Sequence, residues 1–62
     1  MFKDNLRMLR KLKNLTQQEF ATKLNVSFKT VSQWEMGYSE PSLSLLIKIK
    51  EILNASYEEL LD

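Results

Sequence analysis

The sequence predicts an all-α fold, a compact domain of five short helices, and three features carry that prediction. Apolar residues recur three and four positions apart from one end to the other, with no stretch of the strict alternation that a half-buried strand would show. Two four-residue segments, "TQQE" at 16–19 and "SYEE" at 56–59, have the form of a capping box, in which a Ser or Thr hydroxyl and a Glu three residues later satisfy each other's main-chain N–H. The one glycine and the one proline stand close together, at 37 and 41, where a turn belongs between helical segments.

Taken in order, a first helix runs from about Phe2 to Lys13, with Phe2, Leu6, Leu9 and Leu12 on one face and Lys3, Arg7 and Lys11 on the other. Asn14 ends it, because asparagine tolerates the left-handed conformation better than most residues. The second helix opens at the Thr16 capping box and carries Phe20, Ala21 and Leu24 inward; Asn25 marks its turn. Ser27 caps a third helix that runs to about Met36 and stops at Gly37. In "YSEPS" the proline disfavours helix for its predecessor, and Ser42 caps a fourth helix, Leu43 to Leu53. Leu45, Leu46, Ile49, Ile52 and Leu53 form its core stripe, which Leu43 and Ile47 are expected to widen. "SYEE" opens a short fifth helix with Leu60 and Leu61 inward.

Composition narrows the function classes. A chain of 62 residues has little beyond one core, so most apolar positions are needed for folding. With no cysteine and no histidine, it lacks a thiolate metal site, a thiol nucleophile and the usual general base near neutral pH. No acid/base constellation or Gly-rich phosphate loop is present, so an enzyme is not expected, and no cofactor is implied. The longest apolar run, Leu45-Leu46-Ile47, is far short of a membrane span, and a cytoplasmic location is expected. The net charge of +1 conceals an asymmetry: residues 1–34 carry seven Lys/Arg against two Asp/Glu, and residues 35–62 carry two against six. One half can face a polyanion.

The stretch "LTQQEFATKLNVSFKTVSQWEMGYSEPSL" resembles the helix-turn-helix of the Cro and phage-repressor family: glutamine opens the second helix, alanine lies inside it, "VS" precedes the recognition helix, and "WExG" closes it. The resemblance extends over essentially the whole chain. Three positions depart from the family pattern: Asn25 where glycine is usual, Met36 where asparagine is frequent, and Lys50 where alanine is more often buried. Asparagine can adopt the backbone that the turn requires. Met36 removes a possible phosphate contact, and Lys50 implies a fourth helix whose lysine stem snorkels past apolar neighbours. The resemblance implies a repressor-like, sequence-specific regulator that binds double-stranded DNA as a homodimer on a two-fold site, with helices two and three as the helix-turn-helix.

At about 100° per residue, Ser27, Thr30, Val31 and Trp34 fall on the core side of the third helix, and Phe28, Lys29, Ser32, Gln33 and Met36 on the other. That second set has what base reading in the major groove needs: lysine for guanine, glutamine for adenine, serine for either, and an apolar group for the thymine methyl. Phe28, Lys29, Ser32 and Gln33 are therefore the expected base-reading residues, although such a face on a helix taken alone would be an ordinary solvated surface. Phe28 has an alternative, folding back beside Phe20 or Leu24. Phosphate contacts are expected from Gln17, whose role the resemblance supplies, and from Thr16, Lys23, Tyr38 and Ser39. Thr16 also serves as a cap, and Trp34 reads as core. The resemblance further implies a structural pair between Arg10 and Glu35. Lys3, Arg7 and Lys11 read as a solvated stripe. The apolar face of the fourth helix, with Tyr57, suits either the core or a two-fold interface. The rival function is an antitoxin-type module that neutralises a partner toxin and binds DNA for autoregulation.

Overall fold

The computed structural model describes residues 1–62. It contains five helices, α1 (Phe2–Leu12), α2 (Gln17–Leu24), α3 (Phe28–Met36), α4 (Leu43–Leu53) and α5 (Tyr57–Leu61), and no strand. Each helix after the first begins at a hydroxyl cap. Thr16, Ser27, Ser42 and Ser56 accept from the third helical N–H, and at Thr16 and Ser56 the glutamate returns the bond to complete the box. The first four helices also end alike. Asn14, Asn25, Gly37 and Asn54 take positive φ (57°, 58°, 80° and 50°), and the next residue donates back to the carbonyl five positions earlier. The short chain thus closes its helix ends with local bonds and leaves its apolar faces free to form the core.

Phe20 and Ala21 of α2 sit at the centre with no exposure, enclosed by Leu6 and Leu9 of α1, Val31 and Trp34 of α3, Ile49 and Leu53 of α4, and Leu60 of α5. Ala55, between α4 and α5, is buried as well. The α1–α5 contact is pinned by Asn5, whose Nδ2 donates to the Leu60 carbonyl at 3.1 Å. Arg10 is the one charged residue in the buried set.

Four apolar expectations are corrected. Leu12 is 69 % exposed: successive steps of three residues fall about 60° short of a full turn, so the stripe of Phe2, Leu6 and Leu9 has rotated away by position 12, and Arg10 fills the inner edge. Leu61 is exposed because neighbours on a helix point about 100° apart and Leu60 takes the inward position. Leu43 and Ile47 do not widen the α4 stripe; they lie on the opposite side of the helix from Ile49 and Ile52 and are exposed. Ser27 is exposed too, its hydroxyl engaged in capping rather than facing the core. Lys50 is half-buried, and its Nζ lies 5.2 Å from the centre of the Tyr57 ring, a cation–π contact that accommodates the charge where alanine is usual.

Candidate nucleic-acid interface

Three segments define the surface around α3: the start of α2, the outward side of α3, and the turn after Gly37. The spacing of the first two is set by the short link from Asn25 to Ser27. Asn25 in the left-handed conformation reverses the chain, Val26 N–H returns to the Ala21 carbonyl at 3.0 Å, and the Ser27 hydroxyl opens α3. That hydroxyl accepts from Thr30 N–H at 3.1 Å and pairs with the Thr30 hydroxyl at 2.9 Å, so the polar groups on this side of the new helix are already engaged.

The far end of α3 is locked by Glu35. Arg10 Nε donates to Glu35 Oε2 at 2.6 Å and Nη2 to Oε1 at 3.0 Å, a two-pronged pair, while Nη1 donates to the Leu15 carbonyl at 2.7 Å. Both side chains are nearly removed from water, 8 % and 3 % exposed, and the accessibility that Glu35 retains is in its main chain. Gln17 Nε2 donates to the same Glu35 Oε1 at 3.0 Å. One carboxylate therefore joins α1, the first turn of α2 and the last turn of α3, and Arg10 extends the network to the link after α1. Gln17 is held with one amide hydrogen and its carbonyl still unspent, so its place at the head of α2 is fixed by the protein before any ligand arrives.

On the other side of α3, Phe28, Lys29 and Met36 are exposed, and Ser32 and Gln33 are half-buried. The side chains of Lys29, Ser32 and Gln33 take no part in the hydrogen bonds made within the chain. The five side chains fall within about 140° of arc, a strip with a ring, an ammonium, a hydroxyl and an amide. Thr16 spends its hydroxyl as acceptor for Glu19 N–H at 3.0 Å but keeps its own proton to donate. Lys23 is exposed in the last turn of α2, and Tyr38 and Ser39 are exposed after Gly37.

One cation belongs to this surface although the sequence groups it elsewhere. The Lys3 stem crosses Gly37, where an added Cβ would lie 3.0 Å from Lys3 Cδ, which sets the ammonium beside the turn that carries Tyr38 and Ser39. Arg7 and Lys11, by contrast, line a shallow groove on α1 with Met8 and Leu12. No local sequence signal separates Lys3 from its stripe; the contact joins residues more than thirty positions apart. Glu40 lines the same depression as Lys3 and Ser39 and limits how much anion that turn can hold.

The helix-turn-helix family model matches residues 6–60. The chain is 43 % identical over 61 residues to the uncharacterized HTH-type transcriptional regulator YqaE of Bacillus subtilis, covering 98 % of this chain and 53 % of that protein. It is 38 % identical over 60 residues to the HTH-type transcriptional activator BcrR of Enterococcus faecalis, covering 97 % and 29 %, respectively. It is 40 % identical over 58 residues to the uncharacterized HTH-type transcriptional regulator MJ0272 of Methanocaldococcus jannaschii, covering 94 % and 88 %. The chain thus spans about half of YqaE and under a third of BcrR. No solved structure matches it at a significant level. No helix is long and apolar enough to cross a membrane. With the αL turn at Asn25, the clamped α3 and a family match over nearly its full length, this chain belongs to the Cro/C1-type helix-turn-helix family, whose members are DNA-binding proteins and not enzymes.

Proposed function

We propose that this chain is the DNA-reading part of a sequence-specific transcriptional regulator, acting in the cytoplasm as a repressor that occludes a promoter. The observation that carries the reading is the two-sidedness of α3. Val31 and Trp34 bury one side in the core, Glu35 at the edge of that side ties the helix to α1 and α2, and the outward side presents Phe28, Lys29, Ser32 and Gln33, whose polar groups are free of partners in the chain. A helix held rigidly from behind, with donors, acceptors and an apolar group in front, has the chemistry that base edges in the major groove require. Gln17, Thr16, Lys23, Tyr38 and Ser39, joined by Lys3, would contact phosphates on either side and fix the register.

A two-fold pair fits the dimensions. Half-sites one turn of duplex apart are about 34 Å between centres, and a body of 25 × 23 × 20 Å with side chains beyond its Cα frame leaves two copies close enough to touch. Leu43 and Ile47, exposed on the outer side of α4, and Tyr57 on α5 offer apolar groups for that contact. So few side chains fall below what a stable dimer buries, about 800 Å² per partner, so the pair would assemble on the operator.

The test is selection of bound duplexes from a random pool at stated salt. The expected result is a two-fold consensus with half-sites about one turn apart. No enrichment over the starting pool would sink the reading, and enrichment of a single asymmetric site would remove the dimer from it.

A further inference from the structure

We propose that Phe28 reads the C5-methyl group of a pyrimidine, so that thymine and 5-methylcytosine supply the same contact and the unmethylated bases do not; this rests on α3 being the DNA-reading helix. Phe28 is the first residue of α3, directly after the Ser27 cap, and is 49 % exposed. The apolar residues packed on the core are Phe2, Leu15, Val26, Leu45, Leu46 and Ile52, and Phe28 is not among them. With about half of its surface in water, the ring is not enclosed as Phe20 and Leu24 are, at 0 % and 2 % exposed, and its open half is available to a ligand.

The surroundings leave the ring as the outward group at this end of the helix. Ser27 and Thr30 have turned their hydroxyls toward each other and toward the Thr30 N–H. Gln17, at the start of α2, is bonded to Glu35, about two turns along α3 from Phe28. A phenyl ring offers no hydrogen bond, so it cannot tell donors from acceptors on a base edge. What it can recognise is the apolar group of that edge, which in unmodified DNA is the thymine methyl. 5-Methylcytosine carries that methyl on the same ring carbon, while the polar edge beside it differs. A reader made only of carbon ignores that difference. Lys29, Ser32 and Gln33 then read polar edges at other positions, and the Phe28 contact adds a preference for a methyl group at one position of each half-site.

The test begins with the duplex selected as above and a scrambled control, which establishes site-specific binding independently of Phe28. Each thymine of the site is then replaced in turn by uracil, and the position that responds is rebuilt as a cytosine or 5-methylcytosine pair. The wild-type chain should lose about fourfold in affinity at one thymine per half-site, the size expected for one buried methyl, and regain a similar factor from cytosine to 5-methylcytosine there. Phe28→Ala and Phe28→Gln should bind the thymine and uracil duplexes equally. The base-analogue arms use the native chain and stand even if a variant folds poorly. Site-specific binding that no uracil substitution weakens would overturn the methyl contact and leave DNA reading intact. A uracil effect that persists undiminished in a folded Phe28 variant would also overturn it, by assigning the methyl to another side chain. A response to thymine over uracil without one to 5-methylcytosine would confine the reader to thymine and overturn the shared-methyl form.

Discussion

The most consequential residue is Glu35. Its carboxylate is 3 % exposed and holds two guanidinium bonds and one amide bond, so its removal would strand the Arg10 charge beside the core. Breaking a buried pair from one side costs about 3–5 kcal/mol, because the remaining charge has lost its partner and cannot regain water. For a domain of this length that is much of the total stability, roughly 3–9 kcal/mol. Glu35→Ala should therefore lower the melting temperature steeply or leave the chain largely unfolded, whereas Arg10→Met with Glu35→Leu together should cost less than the two single changes added. Thermal denaturation of Glu35→Ala, of the two single changes and of the double variant checks this, and additive losses would show that the charges do not depend on each other. Gln17 follows from the same geometry: Gln17→Ala should change stability little, because it leaves the ion pair standing, and should weaken DNA binding evenly across sequences. The "WExG" resemblance made the Arg10–Glu35 pairing legible in the sequence, but not the third bond. That Gln17 shares the Glu35 oxygen depends on how closely α2 approaches α3, a distance with no sequence counterpart.

At the scale of the helices, local bonds decide the outcome, and here the sequence was most readable. Capping residues act within three positions of themselves, so "TQQE", "SYEE" and the serines at 27 and 42 locate their helices without knowledge of the fold. What the local reading misjudged were helix flanks. Leu12 and Leu61 are apolar residues beside a buried stripe, where packing across the molecule settles whether a neighbouring helix covers them, and Leu43 and Ile47 are apolar residues on the outer side of α4 that no helix covers. Two predictions belong to this scale. Asn25 stands at φ 58° between α2 and α3, so Asn25→Gly should be nearly neutral and Asn25→Val should cost about 1–2 kcal/mol, measured by urea denaturation. Equal stability of the two variants would mean that the turn does not need the left-handed conformation. The other concerns Glu19, fully exposed, whose carboxyl is held below its ordinary value first by the main-chain N–H of Thr16, then by the Thr16 side chain, with a smaller favourable field from Lys23. A depressed folded pKa means stability that is present above the unfolded carboxylate value and lost as pH falls through the folded one. The melting temperature of Glu19→Gln should lie below that of the native chain at neutral pH, with the gap closing through the acid range. A gap that stays constant down to strongly acidic pH would show that the cap gains nothing from the charge.

Across the whole molecule the governing feature is where the charges lie, since a net charge of +1 by itself would predict little attraction to a polyanion. The cations of the first half are not equivalent once the chain is folded. Arg10 is neutralised inside by Glu35, and Arg7 and Lys11 stand over the α1 groove. Lys23, Lys29 and Lys3 remain around α3 and the turn after it, while Glu58, Glu59 and Asp62 are gathered on and just after α5. Each lysine that meets a phosphate releases a counterion, with a contribution of about −0.9 to the slope of log affinity against log salt. Two contacts per copy, from Lys23 and Lys3, give a slope of roughly −2 for one copy and −4 for a pair on its operator. Titrations at several salt concentrations should reach that steepness for specific and unrelated duplexes alike. Lys3→Gln and Lys23→Gln should each reduce the slope by about 1 per bound copy, and Lys11→Gln should leave it unchanged. A slope near zero would contradict the proposed face altogether. A loss at Lys11 as large as at Lys23 would place the duplex against α1 instead of α3, because a lysine over the α1 groove can release phosphate counterions only if the backbone passes there.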